Sequence, residues 1–146
     1  MSKSADIKIS ISHNQNNVNV LDILNLFQAT GWQLDYHGNI GYLPINDEDY
    51  NWTTVLVSDK QKVYDDIYKK IQKKETIGIT LVNQQTDVGM NLLIDFAIQI
   101  LNFDLSINRK EINEIKTTDF SFYLTQIVPI LQKSGLIIEI IECIEA

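Results

Sequence analysis

Residues 90–108 carry an alternation of apolar side chains that changes phase once, which strongly limits the folds open to this chain. Apolar residues occupy even positions as far as Ile98 and odd positions from Leu101 onward. Such alternation places one set of side chains on one face of a sheet. A change of phase without Gly or Pro requires a β-bulge or a tight reversal near residues 97–100. The pattern therefore predicts a long, half-buried antiparallel sheet that buries Leu101, Phe103, Leu105 and Ile107.

The remaining pattern gives the element order β-α-β-β-β-α-β-β-β-α-β. The first helix is capped by Asn17 or Asn19 and ends at Gly31, and the last follows Asp119 and contains Pro129. Strands are expected at residues 7–11, 32–36, 40–45, 52–57, 76–83, on both sides of residues 97–100, and at residues 136–144. The segments 32–36 and 40–45 form a predicted hairpin around residues 37–39.

The second helix shows the clearest amphipathic pattern. Ser58 and Gln61 have the spacing of a capping box ahead of it. We expect its apolar face to consist of Val63, Tyr64, Ile67, Tyr68 and Ile71. The charged side chains, which include Asp66 and Lys70, are expected to lie in solvent.

These elements predict one domain over residues 1–146 of the α+β class. Hairpin-length connections dominate the middle of the chain, so the sheet should be mainly antiparallel or mixed. About three helices should pack largely on one of its faces. A chain of 146 residues is long enough to bury a substantial core.

Charge limits the partners of this chain. The net charge is −7 and there is a single arginine, whereas a nucleic-acid surface requires clustered Lys and Arg. Acidic charge favours a basic protein partner instead. The first residues lack an apolar leader segment, and no apolar run is long enough for a membrane span, so we expect a cytoplasmic protein that does not bind membranes. The single cysteine, Cys143, is expected to be a small buried apolar residue.

Few residues indicate catalysis or cofactor binding. Glycines lack phosphate-loop spacing, and histidine and cysteine lack metal-site spacing, so we expect no cofactor and no metal. The acidic loop around Asp47 lacks the pattern of a calcium loop and is interpreted as solvated. Asp35, Tyr36 and His37 leave open a small enzyme or ligand-binding domain, because a carboxylate beside a histidine is the beginning of a triad.

The most suggestive surface is a loop in which acidic and aromatic residues follow one another. Aromatic side chains supply binding energy at interface centres, and carboxylates steer a basic partner and speed encounter. The alternative is that the aromatic rings fold back onto the core. The predicted partner-binding residues are Asp47, Glu48, Asp49, Tyr50 and Trp52.

Two segments of the last third, residues 106–110 (SINRK) and 118–124 (TDFSFYL), resemble small acidic immunity proteins of bacterial polymorphic-toxin loci. The resemblance implies a cytosolic, non-catalytic protein that neutralises a cognate toxin by covering its active site. The favoured hypothesis is therefore a protein-binding module of the immunity type. The alternative is the small enzyme or ligand-binding domain with a pocket near Asp35, Tyr36 and His37.

Overall fold

The computed structural model describes residues 4–12, 18–47, 49–97 and 99–146, and all statements below concern these residues. Its three helices are α1 (Val20–Ala29), α2 (Lys60–Lys73) and α3 (Phe120–Lys133). Its strands are β1 (Ala5–Ile11), β2 (Trp32–Gln33), β3 (Asn39–Tyr42), β4 (Thr53–Leu56), β5 (Ile77–Asn83), β6 (Gly89–Asp95), β7 (Ile100–Ile107), β8 (Glu111–Ile112), β9 (Thr117–Thr118) and β10 (Ile138–Glu145). Apart from the short β8 and β9, this is the predicted order.

Eight of these strands form one sheet. The main path runs β10-β1-β7-β6-β5-β3-β4, and β2 pairs with the end of β5. Each pairing is antiparallel, and β8 and β9 form a separate two-stranded ribbon. The fold is α+β, as the sequence predicts. β4 and β10 lie at opposite edges of the sheet.

The phase change in residues 90–108 is a tight reversal. Asp95 pairs with Ile100, so β6 and β7 form a hairpin around residues 96–99. Leu101, Phe103 and Leu105 are fully buried, as predicted. Ile107 is only half-buried, because it lies at the end of β7.

All three helices pack on the same face of the sheet. Residues directly opposite each other in an antiparallel sheet share a face, and one such row runs through Tyr42, Ile79, Leu92, Phe103 and Ile7. On this face Phe27 of α1 contacts Phe103, and Asp66 of α2 binds Tyr42. Gln126 of α3 accepts a hydrogen bond from the indole of Trp32, which lies opposite Asn83 of β5. The core lies between the sheet and these helices.

Helix α1 is capped by Asn19, whose side chain accepts a hydrogen bond from the N–H of Leu21. The other predicted cap, Asn17, lies outside the described residues. Asp119 caps α3 by accepting from the N–H of Phe122. The capping box predicted for α2 is wrong. Residues 57–59 form a 3₁₀ turn, which puts Ser58 inside a helical turn instead of at the extended N-cap position.

The hairpin predicted for residues 32–45 is also wrong in its pairing. Only the turn itself forms, with a single bridge between Tyr36 and Asn39. β2 pairs with β5, and β3 pairs with β4 and β5. The alternating pattern of residues 32–36 correctly buries Trp32 and Leu34 but carries no information about which strand lies alongside.

Cys143 is exposed, which contradicts its predicted burial. The apolar character of β10 predicts a buried strand, yet β10 is the last strand at one edge of the sheet, and all of its residues except the two at its ends are exposed. Burial of part of the side chain still raises the pKa of the Cys143 thiol. No described helix is long and apolar enough to cross a membrane.

Candidate protein-binding surface

The predicted binding residues lie on the loop between β3 and β4. The Asp47 carboxylate accepts the backbone N–H of Asn51 through both oxygens, at 3.1 and 3.0 Å. Asp47 therefore closes the loop, a role that its sequence neighbours do not reveal. Asp49 is exposed. Glu48, the third predicted carboxylate, lies outside the described residues.

Contacts with the end of α2 hold the loop in place. The backbone N–H of Asn46 donates to the Glu75 carboxylate at 3.0 Å, and the Lys73 ammonium donates to the Asn46 side chain at 3.1 Å. Asn46 and Tyr50 both have left-handed backbone angles, which fit the sharp changes of direction at each end of the loop. The loop is thus tied to the helix at one end and closed by Asp47 at the other.

The two predicted aromatic residues differ in their surroundings. The Tyr50 side chain is 56% exposed. Trp52 is partly exposed, and its ring lies over Gly78 of β5, where a Cβ would be 3.0 Å from Cη2 of the indole. Gly78 therefore leaves room for Trp52 to pack against the sheet on the face away from the helices. The sequence leaves two alternatives for these rings, which are exposure at a binding surface and packing onto the core. Tyr50 is exposed and fits the first alternative. Trp52 is partly exposed and also packs against the sheet.

Exposed apolar residues continue from this loop along β4. Leu56 and Val57 are exposed large apolar side chains in addition to Tyr50 and Trp52. Because β4 is the last strand at this edge, no further strand covers them in the described part of the chain. We call Asp49, Tyr50, Trp52, Leu56 and Val57 the β4-edge surface. It combines exposed aromatic and aliphatic side chains with a carboxylate, the composition expected of a protein interface.

A polar cavity of about 240 Å³ lies beside this surface. It is lined by Leu43, Asp47, Tyr50, Lys74, Glu75 and Thr76. Its walls come from the β3–β4 loop and from the segment between α2 and β5, so the contact of Asn46 with Glu75 that fixes the loop also shapes the cavity. A side chain of a partner that docks on Tyr50 would have this recess within reach.

A polar cluster, in which Tyr42 and Asp66 are buried and Lys62 is exposed, joins α2 to β3. The Tyr42 hydroxyl donates to Asp66 at 2.8 Å, and the Lys62 ammonium contacts Asp66 at 3.2 Å and the Tyr42 oxygen at 3.3 Å. Burial would raise the pKa of Asp66, but the hydrogen bonds from Tyr42 and Lys62 lower it. Burial, followed by the hydrogen bond with Asp66, raises the pKa of Tyr42. The cluster anchors the helix that holds the loop.

Lys70 is a second buried charge on α2 and is only 1% exposed. Its ammonium donates to the backbone carbonyl of Thr76 at 2.8 Å. Burial lowers the pKa of Lys70, and the nearby Glu75 opposes that effect. Lys70 also lines a mainly apolar cavity of about 420 Å³ with Ile71, Lys74, Glu75, Ile77, Phe96 and Ala97.

The prediction that Asp66 and Lys70 lie in solvent is therefore wrong. The buried face of α2 consists of Val63, Asp66, Ile67 and Lys70, while Tyr68 and Ile71 are exposed. The spacing i, i+3, i+4, i+7 from Val63 selects these four positions. The helical spacing therefore indicates the buried face, whereas the charges of Asp66 and Lys70 indicate exposure.

The alternative site at residues 35–37 is a turn. The Asp35 carboxylate accepts from the backbone N–H of Gly38 at 2.6 Å, and the Tyr36 ring contacts the His37 ring edge-on at 4.4 Å. His37 is exposed and has a left-handed backbone angle. Asp35 thus orients the turn backbone, and the cavities described above are lined by other residues.

Among the described residues, no group of three or more His, Cys, Asp or Glu side chains is placed to hold a metal ion. Comparison of the chain with protein-family models, with curated proteins and with solved structures finds no match.

Proposed function

We propose that this chain is a non-catalytic protein-binding module of the immunity type, which neutralises a cognate bacterial toxin by covering its active site. The β4-edge surface would be its contact region. The observation that carries the proposal is the exposure of Tyr50 on a loop that Asp47 closes and α2 holds. A rigid aromatic side chain loses little conformational freedom on binding, so it suits the centre of an interface.

Charge supports a basic partner. The net charge of −7 attracts a cationic protein over a distance, and Asp49 places a carboxylate on the contact region itself. Trp52, packed against the sheet, would contribute area next to Tyr50. Together these residues supply an apolar centre with an acidic rim.

The alternative, a small enzyme or ligand-binding domain with a pocket near Asp35, Tyr36 and His37, has less support. Catalysis by His37 would need Asp35 to orient the imidazole, whereas the Asp35 carboxylate accepts the Gly38 N–H. Replacement of His37 by Ala should leave toxin neutralisation intact if the binding proposal is correct.

The proposal predicts that a gene next to this one encodes a large secreted protein with a basic C-terminal toxin domain, and the test uses that domain produced alone. Co-expression with this chain should restore growth of cells that the domain kills, and the two purified proteins should bind each other. Tyr50→Ala should speed dissociation at least about tenfold, the loss expected for a central aromatic contact.

Tyr68→Ala is the matched control. Tyr68 is 58% exposed, nearly the same as Tyr50, but it lies on α2 outside the β4-edge surface. The control should bind as the wild type does. Equal effects of the two variants would exclude this surface, and failure of the chain both to bind and to protect would overturn the immunity proposal.

A further inference from the structure

The strand β10 exposes apolar side chains on both of its faces. Ile140 is 55% and Ile144 is 45% exposed on one face, and Ile141 is 40% exposed on the other, next to Cys143. The strand alongside is different, because Ile7 and Ile9 of β1 are fully buried opposite Cys143 and Ile141. A long apolar edge strand without Pro or Lys is a template for pairing with another strand.

The backbone of β10 is oriented for such pairing. Ser4 and Ala146 exchange two backbone hydrogen bonds, of 3.1 and 2.9 Å, so Ala146 directs its N–H and C=O toward β1. Backbone groups in an antiparallel strand alternate in direction. Ile141 and Cys143 therefore present their N–H and C=O groups to the open side of the sheet.

The carboxylates of β10 do not make this edge strongly acidic. Glu142 lies directly opposite Lys8 of β1. The Glu145 carboxylate accepts hydrogen bonds from the N–H and the hydroxyl of Thr118, at 2.9 and 2.7 Å. Glu139, the third carboxylate of the strand, is exposed. Four of the eight residues of β10 are isoleucines, which favours a partner strand that also carries isoleucines.

We infer that β10 pairs with β10 of a second copy of this chain, antiparallel about a twofold axis through Ile141. If the helices of both copies are to lie on the same face of the joined sheet, directly opposite residues must both have odd numbers or both have even numbers. The result is one continuous sheet across the dimer, with isoleucines of both copies in contact.

The charge pattern selects this register. An axis through Ile141 places Ile141 against its own copy and Ile140 against Glu142 of the second copy, so that no glutamate faces another glutamate. An axis through Glu142 would put Glu142 against itself, which like-charge repulsion disfavours. An axis through Ile140 would centre the pairing next to the irregularity at Ile138–Ile140, where the register with β1 shifts. An axis through Cys143 would put Ile141 opposite Glu145 and Ile144 opposite Glu142, so that no isoleucine would face an isoleucine, whereas the axis through Ile141 pairs that residue with itself.

Sedimentation velocity over a series of concentrations tests the dimer. The wild-type chain, of 16.8 kDa, should sediment as a species of twice that mass that dissociates on dilution. Ile141→Lys should raise the dimer dissociation constant at least about tenfold, because two ammonium groups would meet at the axis. The control is Ile115→Lys in the β8–β9 turn, where Ile115 is 61% exposed, and it should leave the dimer unchanged.

Disulfide formation tests the register. Cys143→Ser removes the natural cysteine, and Ile141→Cys in that background should give a covalent dimer on mild oxidation, since directly paired residues lie within disulfide distance. Ile144→Cys in the same background is the control and should link poorly, because the two copies of residue 144 would lie roughly 20 Å apart along the paired strands. A wild-type monomer at every concentration, a larger open assembly, or linkage through position 144 alone would overturn the inference. None of these outcomes bears on the β4-edge surface, which lies at the other edge of the sheet.

Discussion

Lys70 shows how strongly one buried residue can couple stability to pH. Lys70 lies on the buried face of α2, and burial lowers the pKa of its ammonium group below the ordinary value of 10.5. Between the folded-state pKa and 10.5, the unfolded chain binds more protons than the folded chain. The contribution of Lys70 to stability therefore increases as pH rises through that window.

Replacement of Lys70 by Met should remove this pH dependence, because Met keeps the apolar stem and has no ammonium. The free energy of unfolding of the wild type, relative to Lys70→Met, should rise as the pH increases toward 10.5, the ordinary pKa of lysine. Urea unfolding at several pH values measures it. Lys69→Met, at an exposed position of the same helix, should give a difference from wild type that stays constant over this range. A constant difference for Lys70→Met as well would mean that Lys70 is solvated.

Single residues also mark where sequence reasoning failed. The sequence predicts that Asp66 and Lys70 lie in solvent, because buried charges are rare. Burial of Asp66 depends on Tyr42, which comes from β3 and is distant in the sequence, and burial of Lys70 depends on the carbonyl of Thr76. Helical periodicity identifies the face, but only the tertiary structure supplies the partners that make burial of a charge possible.

At the scale of elements, the sequence predicts the type and the order of the helices and strands better than it predicts which strands pair with each other. The alternation in residues 90–108 predicts both strands and either a β-bulge or a reversal between them, because each buried face needs an apolar residue at every second position. It could not predict that β2 pairs with β5, nor that β10 lies at an edge. Those pairings depend on contacts across long sequence separations, which local patterns do not encode.

The hairpin of β6 and β7 provides a test of core packing. Phe103 is fully buried and contacts Phe27 of α1, with ring centroids 6.2 Å apart. Phe103→Ala should lower the free energy of unfolding by about 3–5 kcal/mol, through lost burial and the cavity left behind. Chemical denaturation measures this loss.

Asn102→Ala is the comparison for that variant. Asn102 is the preceding residue on the opposite face and donates one hydrogen bond to Asp6 at 3.3 Å. Its replacement should cost only about 0.5–1.5 kcal/mol, the net value of one hydrogen bond. Similar losses for the two variants would contradict the assignment of the two faces of β7.

At the scale of the whole molecule, the net charge and the location of individual charges affect association with a partner differently, and the two effects can be measured separately. The chain carries −7, so any basic partner is attracted to it at long range. A carboxylate on the contact region adds a short-range attraction, which favours the correct orientation of the partner. The β4-edge surface contains such a group, Asp49, on a loop that Asp47 closes from within. Asp47 is less suited to a test of charge, because its replacement would also disturb the loop.

Asp49→Asn should therefore slow association with the basic toxin domain several-fold at low salt and weaken the salt dependence of the association rate, with little change in dissociation. Glu114→Gln, at an exposed position in the β8–β9 turn, removes the same unit of charge away from the proposed contact. Stopped-flow association over a range of ionic strengths compares the two variants. Screening shortens the reach of each charge as salt increases, so both variants should approach the wild-type rate at high salt. If the two variants slow association equally at low salt, only the net charge matters, and Asp49 is not at the interface.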